Sequence, residues 1–251
     1  MKNIAIVTIV LILVGLGLNA WILAELSSIK GDVKKLSQQV SGAVEAIKKI
    51  KTAPSAPVPP SEPSEVRVSI DDDPIKGDPK ASLTIIEFSD YQCPFCRRFH
   101  QEVLPSIQNE YISKGIVRYV FRDYPLAFHQ QALPAALAAN CAGEQEKYWE
   151  MNDFLFENPT KLDIASILSS AKSLGLNYDE FEKCVNGKKY EAEIQKDMED
   201  AKKYGVSGTP SFFIGKTEEG KEMTASYIRG AQPFRVFKVR IDKFLSEEDK
   251  G

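Results

Sequence analysis

The chain has 251 residues, 43% of them hydrophobic and 27% charged, which fits one or two globular domains and excludes collagen-like, wholly disordered and disulfide-dense classes. Its 32 basic and 35 acidic residues leave a net charge of −3, which gives no general attraction to nucleic acid. Four cysteines are too few for a disulfide scaffold but enough for a redox pair and one staple, and a mean hydropathy of −0.25 averages over segments of very different character.

Ile4 to Ala24 is 21 residues without a charge, long enough at ~1.5 Å per residue to cross a ~30 Å hydrocarbon core. The competing reading is a cleaved signal peptide, but its best site, Leu18-Asn19-Ala20, lacks a small first residue, and the apolar run continues through Trp21, Ile22 and Leu23. Residues 1–25 are therefore read as an uncleaved transmembrane anchor, with residues 4–24 in the membrane. Lys30, Lys34 and Lys35 beyond the span outnumber Lys2 before it and, by the positive-inside rule, place the remainder in the cytoplasm. The cysteines point the other way, and large domains translocate largely regardless of charge.

Residues 26–51 read as a stalk. Leu26, Val33, Val40 and Ile47 fall at a positions, and Ile22, Ile29, Leu36, Ala43 and Ile50 at d positions, so residues 22–50 form a candidate coiled coil and a route to a homo-oligomer. An amphipathic helix lying on the membrane is the alternative. Residues 52–65 are a proline-rich linker, Ala-Pro-Ser-Ala-Pro-Val-Pro-Pro-Ser-Glu-Pro-Ser at its heart, which stays extended and packs no core.

Residues 66–251 read as the folded part. Arg67 to Ile70 is a short strand, Leu83 to Phe88 a buried strand, Pro94 to about Lys114 a helix, and Ile116 to Phe121 a second core strand. Helical pattern fills about 127–204, with turn signals at Asn158-Pro159 and Leu174-Gly175-Leu176-Asn177. Ser211 to Ile214 and Thr224 to Ile228 are strands, and Pro233 to Leu245 is a closing helix. The order predicts an α/β fold interrupted by an all-helical insertion.

Cys93-Pro94-Phe95-Cys96 follows a strand and opens a helix. A thiolate there faces unpaired N–H groups and the positive end of the helix dipole, which lowers its pKa from about 8.5 and makes it a nucleophile near neutral pH. Pro94 suits the first helical turn. The spacing places Cys96 close enough to close a ring with Cys93, so Cys93 is expected to be the exposed attacker and Cys96 the buried resolver. A zinc site is the alternative, but Cys141 and Cys184 stand alone and His100 and His129 are not a ligand pair at zinc spacing; an inert structural disulfide is another. Glu87, in the middle of an apolar strand six residues before Cys93, is expected to have a raised pKa and to relay the proton of Cys96, unless it lies on a solvent face. Pro210, which opens the strand Ser211 to Ile214, is a candidate cis-proline, an ordinary trans turn being the alternative.

Glu87-Phe88-Ser89-Asp90-Tyr91-Gln92-Cys93-Pro94-Phe95-Cys96 with the distant Gly208-Thr209-Pro210 resembles the DsbA-like, BdbD-type thiol-disulfide oxidoreductases of the thioredoxin superfamily. The resemblance runs from about Val66 to Leu245 and takes in Asp73-Pro74, the run from Phe121 to Leu126, His129 and Cys141-Ala142-Gly143. It implies a thioredoxin fold with a helical insertion and no cofactor or metal. Pro210 would face the active-site sulfurs, and Pro94, Phe95, Thr209 and Pro210 would form the substrate surface. It further implies a structural disulfide between Cys141 and Cys184, two buried free thiols being the alternative, and hence an oxidising, extracytoplasmic compartment. His129 is read as structural, at the insertion boundary.

The chain departs from strongly oxidising members in carrying Phe95 where they have histidine, and Thr209 where DsbA has valine. The leading expectation is a membrane-tethered disulfide oxidase of exported proteins, reoxidised by a quinone-linked membrane partner of DsbB or VKOR type. A reductase or isomerase is the enzymatic alternative, and a surface adaptor the non-enzymatic one.

Overall fold

The computed structural model describes residues 30–31, 33–42, 65–220 and 222–248. The chain divides into two units, Met1–Pro60 and Ser61–Gly251. In the first, residues 33–42 are helical and exposed. The anchor at 4–24, most of the heptad register and the linker at 52–64 lie outside the described residues. Among the described residues, no helix is long and apolar enough to cross a membrane.

The second unit is built on a six-stranded mixed sheet in the order β1-β6-β5-β3-β4-β2. Its strands are β1 (Val66–Ser69), β2 (Ile75–Lys76), β3 (Leu83–Ser89), β4 (Val117–Asp123), β5 (Ser211–Lys216) and β6 (Glu222–Arg229). β3 and β4 are parallel, an arrangement that needs the helical crossover between them, and β3 pairs antiparallel with β5. Every residue of β3 and β4 is buried, the mark of a central strand covered on both faces. With the side-chain period of two, Leu83, Ile85 and Glu87 face one layer, while Ile86 and Phe88 pack with Val120 and Phe213 in the other.

The helical pattern at 94–114 is three pieces rather than one. α1 (Pro94–Glu102) ends at Val103, α2 (Leu104–Ile107) follows, and a π-helical turn spans Gln108–Ile112. Pro105 accounts for the break, because it donates no N–H and its ring clashes with the carbonyl one turn back. α1 buries Cys96 and Phe99, and Phe99 packs on Phe212 of β5 with ring centroids 4.4 Å apart. β2 was not visible as a strand: two residues on a sheet edge carry no periodicity.

Between β4 and β5 stand five helices, α3 (Ala132–Gly143), α4 (Tyr148–Glu157), α5 (Ile164–Ser173), α6 (Tyr178–Asn186) and α7 (Glu191–Lys203). Asp163 and Asn177 cap α5 and α6 by accepting from Ser166 N and Glu180 N. A disulfide joins Cys141 in α3 to Cys184 in α6. α8 (Phe234–Glu248) closes the fold, with Phe237 against Phe99 and Phe212.

Candidate active site

β3 ends at Ser89, and the turn after it is organised by one side chain. Asp90 is 1% exposed; its Oδ1 accepts from Gln92 N at 2.7 Å and Cys93 N at 3.1 Å. Its Oδ2 accepts from Leu126 N at 2.8 Å and lies 2.8 Å from His129 Nδ1. This Asx turn delivers Cys93 to the N-cap of α1 in extended conformation, with Pro94 in the first helical turn. Cys93 and Cys96 are both free thiols.

Cys96 is fully buried, as expected, but Cys93 is only 4% exposed. The expectation of an exposed attacker is corrected by the loop opposite. The Thr209–Pro210 peptide is cis, and the Thr209 carbonyl oxygen lies 3.6 Å from Cys93 Sγ, partly covering it. Pro94 and Phe95 remain exposed beside the sulfur, Phe95 by 54%.

The two thiols are driven apart electrostatically. The Cys93 thiol is lowered to about 5, first by the hydrogen bond from Cys96 and then, against a burial penalty, by Thr209 and the N–H groups at the start of α1. Burial pushes Cys96 upward, and so does its own bond to Cys93. The result is a ready nucleophile next to a thiol that stays protonated.

Glu87 lies beneath them at 1% exposure, which corrects the alternative of a solvent-facing carboxylate. β3 is central, and residue 87 stands between Phe121 of β4 and Phe212 of β5. The Ser89 hydroxyl donates to its Oε1 at 2.6 Å, and the Tyr119 hydroxyl donates to its Oε2. Burial raises the carboxyl to about 8, the two hydroxyls pull it down, and the Cys93 charge adds to the rise. At neutral pH this carboxyl holds a proton it can give to or take from the sulfur above. The Ser89 hydroxyl also opposes the rise of the Cys96 thiol.

Asp90, Ser89 and Tyr119 were not singled out from sequence. Asp90 carried a usable signal, an aspartate three residues ahead of a helix-opening cysteine. Tyr119 carried none, because a tyrosine in a buried strand reads as core. His129 stands at the insertion boundary as expected, but it also binds the active-site turn through Asp90.

Two groups of carboxylates, Asp71 with Asp72 and Glu193, and Asp73 with Glu193 and Asp197, bring three ligand atoms within 4.8 Å. Positive charge is already present there: Arg122 lies 2.8 Å from Asp73, and Lys196 pairs with Asp71. These groups lie with the structural cation Arg122 and have no contact with the dithiol among the described bonds.

Residues 69–231 match a family model described as thioredoxin. The Na(+)/H(+) antiporter NhaA 3 of Salinispora tropica is 34% identical over 157 residues, 62% of this chain but 24% of the antiporter. The chain thus spans about a quarter of the length of the antiporters it matches, and their transport activity does not follow from the likeness. A probable disulfide bond formation protein D of Bacillus cereus is 29% identical over 147 residues, covering 55% of this chain and 68% of that protein. The crystal structure of α-DsbA1 from Wolbachia pipientis superposes with a TM-score of 0.64 at 30% identity, over 72% of this chain and 94% of that one.

Proposed function

The chain belongs to the thioredoxin family, and from that premise we propose that it is a membrane-anchored, extracytoplasmic thiol–disulfide oxidoreductase working as a disulfide oxidase of exported proteins. The observation that carries the direction is the placement of Cys93 at the N-cap of α1, where the Cys96 thiol and the first N–H groups of the helix lower its pKa to about 5. A stabilised thiolate stabilises the reduced enzyme, which makes its disulfide the more oxidising partner in exchange.

In the forward reaction a substrate thiolate attacks Cys93 Sγ of the Cys93–Cys96 disulfide. The Cys93–Cys96 bond breaks, and Cys96 leaves as a thiolate that takes the proton of Glu87. The second substrate thiolate then attacks the substrate sulfur bound to Cys93. Cys93 leaves as a stable thiolate, the substrate has lost two electrons to form its disulfide, and the enzyme has gained them. Pro94, Phe95, Thr209 and Pro210 border the sulfur and would hold the substrate segment. A quinone-linked membrane protein of DsbB or VKOR type would remove the two electrons and restore the Cys93–Cys96 disulfide.

Placement outside the cytoplasm is supported by the Cys141–Cys184 disulfide, since such staples persist in oxidising compartments. Anchoring rests on the uncharged residues 4–24. A second reading, an isomerase or reductase, is favoured by one feature: Val33, Leu36 and Val40 occupy heptad positions on an exposed helix, and paired copies would suit isomerisation.

The test is stoichiometric oxidation of a reduced protein by the oxidised chain, together with its equilibrium potential against glutathione. Oxidation that disappears in Cys93→Ala, with a potential nearer the ~−120 mV of DsbA than the ~−270 mV of thioredoxin, is the expected result. A potential near thioredoxin would transfer the assignment to the reductase or isomerase reading.

A further inference from the structure

Glu87 is buried on a face of the sheet that offers it no cation: among the described residues it forms no ion pair. Phe212 stands opposite it on β5, and Phe99 of α1 and Phe237 of α8 pack on that ring. The titratable groups acting with it are Cys93 and Cys96 of α1, Tyr91 of the turn and Tyr119 of β4. The Cys93 charge opposes ionisation of the carboxyl, while burial keeps Cys96 and Tyr91 neutral. A negative charge on Glu87 is therefore received by two hydroxyls.

Strand register builds that pair. Ser89 follows Glu87 by two residues on β3, so both side chains leave the same face, and its hydroxyl donates to Oε1 at 2.6 Å. Tyr119 lies on β4 in register with Ile85, and its hydroxyl donates to Oε2. One donor thus meets each carboxyl oxygen, and both donor residues are buried. Their backbones are fixed as well. Tyr124 N donates to Ser89 O at 2.7 Å, and Tyr119 pairs with Lys76 of β2. The Tyr119 ring meets Trp149 of α4 with centroids 5.9 Å apart. Burial pushes the Tyr119 phenol upward, so it stays a donor at neutral pH.

We propose that Tyr119 and Ser89 are positioning residues of the exchange reaction, whose paired hydroxyls let Glu87 pass between carboxyl and carboxylate as Cys96 regains and loses its proton. The proposal rests on the thiol–disulfide exchange reading and concerns its proton step. In one direction Cys96 leaves Cys93 as a thiolate and takes the carboxyl proton. In the other, Cys96 attacks Cys93 Sγ of a mixed disulfide, its proton goes to the Glu87 carboxylate, and the partner sulfur leaves as a thiolate. A buried carboxyl without donors stays protonated and serves the first direction alone. Hydrogen bonds to a charged acceptor are the stronger kind, so two donors favour the carboxylate and open the second direction.

The experiment mixes the reduced full chain rapidly with oxidised glutathione, which Cys93 attacks first, and follows decay of the mixed disulfide against pH. The infrared C=O stretch of the protonated carboxyl, assigned by its loss in Glu87→Gln, reads the same group directly. Wild type is expected to inflect near pH 8 in both measurements. In Tyr119→Phe, and separately in Ser89→Ala, both inflections are expected to move to about pH 9 or above, with decay at pH 7 slowed up to about tenfold. Tyr119→Phe keeps the ring against Trp149. Ser89→Thr, which restores a hydroxyl, is expected to bring the inflection back toward pH 8. Inflections that stay near pH 8 in Tyr119→Phe and Ser89→Ala would overturn the proposal. So would slower decay at every pH with no shift, the mark of a purely structural role. If oxidised glutathione leaves the wild-type Cys93–Cys96 pair unoxidised at every pH, the exchange reading itself fails and takes the proposal with it.

Discussion

Each reactive group at the dithiol is tuned by a neighbour that can be named, and each tuning has a pH signature. An ordinary cysteine titrates near 9.0 and Cys93 near 5, so the folded reduced protein gains stability from the thiolate that is fully present above pH 9 and lost as pH falls through 5. The disulfide form has no such group. The gap between the unfolding midpoints of the reduced and oxidised proteins should therefore narrow as pH falls from 8 to 5, and alkylation of Cys93 should follow an apparent pKa of about 5. Glu87 runs the opposite way. Its value rises from 4.5 to about 8, so its contribution favours the fold below pH 4.5 and is lost as pH rises through 8. Glu87→Gln should remove that loss, slow the attack of Cys96 on a mixed disulfide by about 10²-fold, and abolish the inflection near pH 8 in its rate profile. A rate profile unchanged by the substitution would mean that the proton travels by another route. The dithiol and Glu87 were legible because their chemistry shows in residue type and spacing. The hydroxyls of Ser89 and Tyr119 were not, because strand register decides which buried side chains meet, and a single sequence does not print register.

At the scale of elements, two devices of different kinds hold the helical insertion, one within it and one tying it to the sheet. The Cys141–Cys184 disulfide closes a loop across 43 residues, and the chain-entropy model gives about 4 kcal/mol for that constraint. Replacing both cysteines with alanine should lower denaturant stability by up to that amount while Cys93 keeps its reactivity, since neither sulfur contacts the dithiol among the described bonds. A variant that lost Cys93 reactivity along with stability would show the staple to shape the site. The second device is Arg122 of β4, a fully buried side chain 2.5 Å from Asp197 of α7, 3.1 Å from Asp200 and 3.1 Å from the Ser69 carbonyl of β1. Arg122→Met leaves Asp197 buried without its cation, and unfolding free energy should fall by about 3–5 kcal/mol. The order of strands and helices was readable, since hydrophobic period and turn residues are local. The break at Val103 was not placed, although Pro105 was there to mark it, and neither was the convergence on Arg122: its partners come from residues 69, 71, 73, 197 and 200, which only the folded topology brings together.

For the molecule as a whole, the number of copies bears on whether it oxidises or isomerises. Residues 33–42 present Val33, Leu36 and Val40 to solvent at 61%, 62% and 56% exposure. An apolar stripe at a, d and a positions is stabilised when a second helix covers it. Valine at a with leucine at d favours two strands over three. The full chain in detergent should therefore sediment as a dimer, and Leu36→Glu with Val40→Glu should yield monomers, because four carboxylates would face one another across the seam. If the stripe instead rests on lipid, the same pair of substitutions would reduce binding of a 26–251 fragment to vesicles without changing its mass. A dimer would also place two Cys93 thiolates on one assembly, which gives a directional test of function: an isomerase should lose the reshuffling of a scrambled protein on becoming monomeric, whereas an oxidase should keep its rate per thiol. Retained oxidation in the monomeric variant, with no reshuffling in either form, is the outcome expected from the thiolate of Cys93.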